Sequence, residues 1–164
     1  MTGSGTALLR GRRGVARAGA EGAVDWLEPD PGRWSIAPAE PFGAVRRHLP
    51  GTAVLETTFT TAGGSVRLVD ALSLGDAHEL LRHVEGVSGV VRLAVELSGA
   101  RGALRTELTV RAGERLGFAL RWAAPPLAGA VPTSPQDVPA RIVEVVDGWR
   151  AATDGRAGRA PAPG

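Results

Sequence analysis

Between Thr52 and Leu72 the sequence alternates with a period of two on both sides of an Ala62-Gly63-Gly64 turn. That pattern limits what the chain can become. In TAVLETTFTT, Ala53, Leu55, Thr57 and Phe59 share one face, while Val54, Glu56, Thr58 and Thr60 share the other. Successive side chains of a strand point to opposite faces, and β-branched residues favour that backbone. The glycines supply the positive φ of a tight hairpin turn. The return segment, SVRLVDAL, puts Val66, Leu68 and Asp70 on one side and Arg67, Val69 and Ala71 on the other. A chain holding such a hairpin is committed to antiparallel sheet.

The same rule recurs downstream. VVRLAVEL aligns Val91, Leu93, Val95 and Leu97, ALRTELTVR aligns Leu104, Thr106, Leu108 and Val110, and LGFALRW aligns Leu116, Phe118, Leu120 and Trp122. Gly86-Val87-Ser88-Gly89 and Ala112-Gly113-Glu114 read as turns between strands. Upstream, residues 25–42 look irregular apart from a short strand around Arg33–Ala37. His78–Glu85 fits either a strand or a helix, because Leu80, Leu81 and Val84 also satisfy a 3.6-residue period. Half-buried alternation repeated about every 8–12 residues is the signature of packed antiparallel sheets. Five prolines between Pro125 and Pro139 then mark an extended linker. After it, Ile142, Val145, Val146 and Trp149 form the apolar stripe of a helix over 138–151. That stripe needs cover, either by folding back on the sandwich or by self-association.

The expected fold is therefore mainly β: an antiparallel β-sandwich followed by a proline-rich linker and one C-terminal helix. Its expected organisation is a flexible arm over 1–22, a sandwich over 23–124, linker and helix over 125–151, and a flexible tail over 152–164. With 164 residues, 43% of them hydrophobic, a single core of ordinary size can form without staples. The 23 Gly and 12 Pro fit a loop-rich β chain better than a helical bundle.

Composition also excludes functions. No Cys means no disulfide framework, no thiolate zinc site and no cysteine nucleophile. No apolar run has the roughly 18–20 residues of a membrane-spanning helix, and the N-terminus lacks the core of a secretory signal. A cytoplasmic location and no membrane partner are expected. All 19 basic residues are Arg, and the net charge of only +2 gives no basic stripe for nucleic acid. Arg10, Arg12, Arg13 and Arg17 read as part of a solvated arm.

Little in the chain has catalytic form. His48, His78 and His83 show no metal-ligand spacing, since His78 and His83 stand five apart. A nucleophile elbow and phosphate-binding glycine loops are both missing. Glycoside hydrolysis needs only two acids, and Asp25, Glu56, Asp70 and Glu85 are the candidates to weigh. All but Asp25 lie within or at the ends of expected strands, where the plain reading is an outward-facing charge or a turn ligand.

Several blocks, in order, carry a resemblance. GAVDWL (22–27), GRWSIAP (32–38), RRHLPGTAVLETTFTTAGGSVRLVDAL (46–72), LLRHVEGVSGVVRLAVEL (80–97), RTELTVRAGERLGFALRW (105–122) and VEVVDGWRA (143–151) are similar to the opening blocks of bacterial glycoside hydrolase family 15 proteins. Members of that family are glucoamylase-like or trehalase-like α-glucosidases with an N-terminal β-sandwich, a linker helix and an (α/α)6 barrel. The resemblance covers about 22–151, which corresponds to the sandwich and linker alone. It implies a non-catalytic N-terminal domain, truncated before the barrel that carries the family's two catalytic glutamates. No catalytic, cofactor or metal residue is assigned here, and no cofactor is implied. The alternative is a stand-alone sandwich that contacts a glucan or a partner protein. Implied partners are a catalytic (α/α)6 barrel, or a second copy met through the C-terminal helix. Relative to the family, the chain is shortened at 28–31 and between Leu97 and Ala103, and loss of strands exposes sheet edges.

Overall fold

A computed structural model describes residues 6–11, 15–19, 21–26, 31–75, 78–99, 102–122, 130–132 and 137–157. They form eleven strands and one helix: β1 (Ala7–Arg10), β2 (Val15–Ala18), β3 (Ala23–Trp26), β4 (Gly32–Pro38), β5 (Phe42–His48), β6 (Leu55–Thr61), β7 (Gly64–Leu72), β8 (His78–Gly99), β9 (Gly102–Arg111), β10 (Arg115–Trp122), β11 (Ala130–Pro132) and α1 (Val138–Ala157). Every strand pairing is antiparallel. One layer runs β1-β2-β3-β4-β8-β9 and the other β5-β6-β7-β8-β10-β11. The fold is an antiparallel sandwich with a C-terminal helix.

The 22-residue β8 belongs to both layers. Its first half lies between β7 and β10, and its second half between β4 and β9. The Gly86–Gly89 stretch, expected as a turn between two strands, is instead the corner within this one strand. Ser65 pairs with Ser88 but Val66 pairs with Gly86, so Val87 is an extra residue, a β-bulge. The bulge shifts the face parity by one. Even-numbered Leu80, Arg82 and Val84 are buried before it, and odd-numbered Val91, Leu93 and Val95 after it. Gly89 has φ +59°, and a side chain at Gly86 would collide with the Arg111 carbonyl. The glycines thus permit a strand to change layers, where the local sequence alone suggests that it ends.

Other expectations change as well. The arm over 1–22 contains β1 and β2, whose Leu9, Ala16 and Ala18 are buried. Arg10 and Arg17 are exposed on these strands, while Arg12 and Arg13 lie outside the described residues. Three residues of the proline linker form β11 against β10, and α1 continues through residues 152–157 of the expected tail. His78–Glu85 is strand. No described helix is long and apolar enough to cross a membrane.

Two apolar clusters hold the layers. The first lies between the sheets and includes Leu9, Trp34, Ile36, Leu55, Phe59, Leu68, Leu80 and Leu93. The second joins α1 to the outer face of the second sheet: Val138, Ile142 and Val145 pack on Val54, Ala71, Leu81 and Ala119, with Val146 and Trp149 alongside. The helix stripe therefore rests on the chain's own strands. Within the first cluster, Phe59 is fully buried and meets Phe42 edge-on at 5.2 Å. Phe59→Ala should cost about 3–5 kcal/mol in a denaturant titration, as large-to-small core changes do. An unchanged transition midpoint would contradict its place in the core.

Candidate functional site

The second half of a polar pair sits where alternation puts it. Asp70 shares the inward face of β7 with Val66 and Leu68, and it is 1% exposed. This corrects its reading as an outward charge or turn ligand. Directly across, on β8, stands Arg82, which is fully buried. Its Nε donates to Asp70 Oδ1 at 2.7 Å and its Nη2 to Oδ2 at 3.2 Å. Nη2 also donates to the Gly22 carbonyl and Nη1 to the Trp34 carbonyl, both at 2.6 Å. The guanidinium carbon lies 5.2 Å from the centre of the Trp34 ring, a cation–π distance. Gly22 and Trp34 belong to the opposite layer. The group is a structural clasp between layers.

The other candidate acids also face arginines. Asp25 meets Arg33 at 3.1 Å on the exposed first sheet. On the outer face of the second sheet a ladder of alternating charge crosses five strands: Arg47–Glu56 at 2.7 Å, Glu56–Arg67 and Arg67–Glu85 at 3.9 Å, and Glu85–Arg115 at 3.0 Å. Arg67 stands between Glu56 and Glu85. Each carboxylate thus looks at a guanidinium rather than at a second acid poised for proton exchange. Glu79, which sequence reasoning did not single out, is 2% exposed and meets Arg121 of β10 at 2.6 Å and Arg141 of α1. It ties the helix to the sheet.

The histidines do not converge. His48 is exposed at the end of β5, His78 opens β8, and His83 lies on the outer face of β8. Among the described residues no three His, Asp or Glu side chains form a metal-binding group. His83 lines a groove of about 450 Å³ along the flank of β10. Gly117, its direct cross-strand partner, has no side chain to cover it. Leu108, Leu116, Phe118 and Pro139 give the groove apolar walls, and Arg115 supplies a charge. Nε2 of His83 is buried without a protein partner. Burial pushes the His83 pKa below its ordinary 6.5, with Arg115 and Arg67 acting in the same direction against Glu85. The groove offers one imidazole hydrogen bond in an apolar setting, and no nucleophile lines it among the described residues.

Comparison with protein-family models, with curated proteins and with solved structures returned no match for this chain.

The lowered pKa of His83 has a consequence for stability. Its folded pKa lies below its unfolded value, so the unfolded chain binds the proton more readily. The neutral form's contribution is complete above about pH 6.5 and is lost as the pH falls below that value toward the folded pKa. Thermal midpoints followed downward from neutral pH should therefore fall less steeply for His83→Gln than for the wild type. Parallel profiles would contradict the burial of this imidazole.

Proposed function

We propose that this sandwich is the non-catalytic N-terminal module of a family 15-like glycoside hydrolase, serving an (α/α)6 barrel by contact rather than cleaving glucosides itself. The observation that carries the reading is the state of its acids. Asp25, Glu56, Asp70 and Glu85 each have an arginine partner, and none of them lines the groove beside β10. The ordered sequence blocks between 22 and 151 support the same reading, as does an architecture of sandwich followed by helix. The groove supplies a surface of the kind a neighbouring domain covers, with apolar walls and a few fixed polar groups.

Two measurements on the purified chain test this. Incubated with maltose, starch and trehalose, it should release no glucose above a blank. Mixed with a family 15 barrel lacking its own sandwich, it should co-migrate with the barrel and raise its thermal midpoint. Glucose release abolished by Asp25→Ala or Glu56→Ala would overturn the non-catalytic reading. Binding of a maltooligosaccharide with no affinity for the barrel would favour a stand-alone binding module.

A further inference from the structure

The edge of the first sheet is unusually bare. β9 has one strand neighbour among the described residues, β8, and no described strand pairs with its other edge, where alternate residues present their backbone N–H and C=O groups. Such an edge is a template for another strand. From Gly102 to Glu107 both faces of β9 are exposed, and Leu104, which shares the inward parity of buried Val110, is 61% exposed. Leu104 lies opposite Leu97 of β8, and Leu108 lies opposite Leu93. An apolar row therefore begins on β8 and stops at an open edge.

The sequence of that edge complements itself. We propose that two copies of this chain pair antiparallel through β9, with the two-fold axis at Thr106. In that register Arg105 stands opposite the partner subunit's Glu107, and Glu107 opposite the partner subunit's Arg105. Leu104 faces the partner subunit's Leu108, again twice by symmetry. The charges extend rows already present. Within one copy Glu96 meets Arg105 at 3.2 Å, and Arg92 meets Glu107 at 3.7 Å. Pairing joins them into an outer row of alternating sign across four strands, while the inner face gains a continuous leucine row. Opposite charges directly across an antiparallel pair stabilise it, and like charges oppose it. Moving the axis to Arg105 sets two arginines face to face, and moving it to Glu107 sets two glutamates face to face. The side-chain period of two forbids odd slips, which would bring the apolar face to the polar one. The register at Thr106 is thus the one this edge specifies against its neighbours. The helix stripe, by contrast, is already covered by the second sheet.

Sedimentation mass reads the outcome. The wild type should run at twice its 16.9 kDa. Arg105→Glu alone and Glu107→Arg alone should each run as monomers, because each sets like charges across the axis. An equimolar mixture of the two variants should recover the doubled mass, since each altered charge then meets an opposite one. A monomeric wild type, a single variant that keeps the doubled mass, or a mixture that stays monomeric overturns the proposal. If either substitution impairs folding, hydrogen exchange of the wild type decides. Protection of β9 amides that rises with protein concentration supports the pairing, and concentration-independent exchange there overturns it.

Discussion

A guanidinium with no access to water has to find its partners inside the protein, and Arg82 makes four hydrogen bonds there, two of them across the sandwich. Removing a charge from water costs several kcal/mol unless pairing and hydrogen bonding replace the lost solvation. Asp70, on the adjacent strand of the same sheet, supplies the countercharge. The Gly22 and Trp34 carbonyls, in the opposite layer, accept from two of the three N–H donors that Asp70 leaves over. The spacing of the layers at this point is therefore set by the length of an arginine side chain as well as by apolar packing. Trp34 takes part twice, through its carbonyl and through its ring.

The second constraint is the corner in β8. A strand that changes sheets carries both layers on one covalent element, and across the Val87 bulge Leu80, Arg82 and Val84 before the bend and Val91, Leu93 and Val95 after it are all buried. One result is that β9 continues where the other layer no longer covers it, which leaves Leu104 in solvent. Carboxylates and arginines form ladders, and the groove at His83 pairs an apolar wall with a single imidazole.

Much of this was legible in the sequence where burial is one-sided. The Thr52–Leu72 hairpin and the stripe Ile142, Val145, Val146 and Trp149 each have one buried face, and periodicity reports that directly. Segments without such a face were silent. β5 is exposed along most of both faces, and β1 and β2 bury only Leu9, Ala16 and Ala18 between them, so their strands are made by pairing rather than by pattern. The GVSG corner looked like a turn because glycine serves both needs, and only the long-range pairing to β7 and β9 distinguishes them. Asp70 shares the parity of Val66 and Leu68, so its inward direction is visible in the sequence. Its partner Arg82 fell in a segment compatible with two periods. The His83 groove depends on Gly117 and Pro139, residues remote in sequence, which no local pattern brings together.

The most direct test of the clasp is the unfolding free energy of Arg82→Met, Asp70→Leu and the double variant. Arg82→Met should lose about 3–5 kcal/mol, because it strands a buried carboxylate. If the guanidinium joins the layers, the double variant should remain at least about 2 kcal/mol below the wild type, since the Gly22 and Trp34 carbonyls each lose a charge-assisted hydrogen bond. A double variant as stable as the wild type would contradict the account, leaving Arg82 as no more than the countercharge of Asp70.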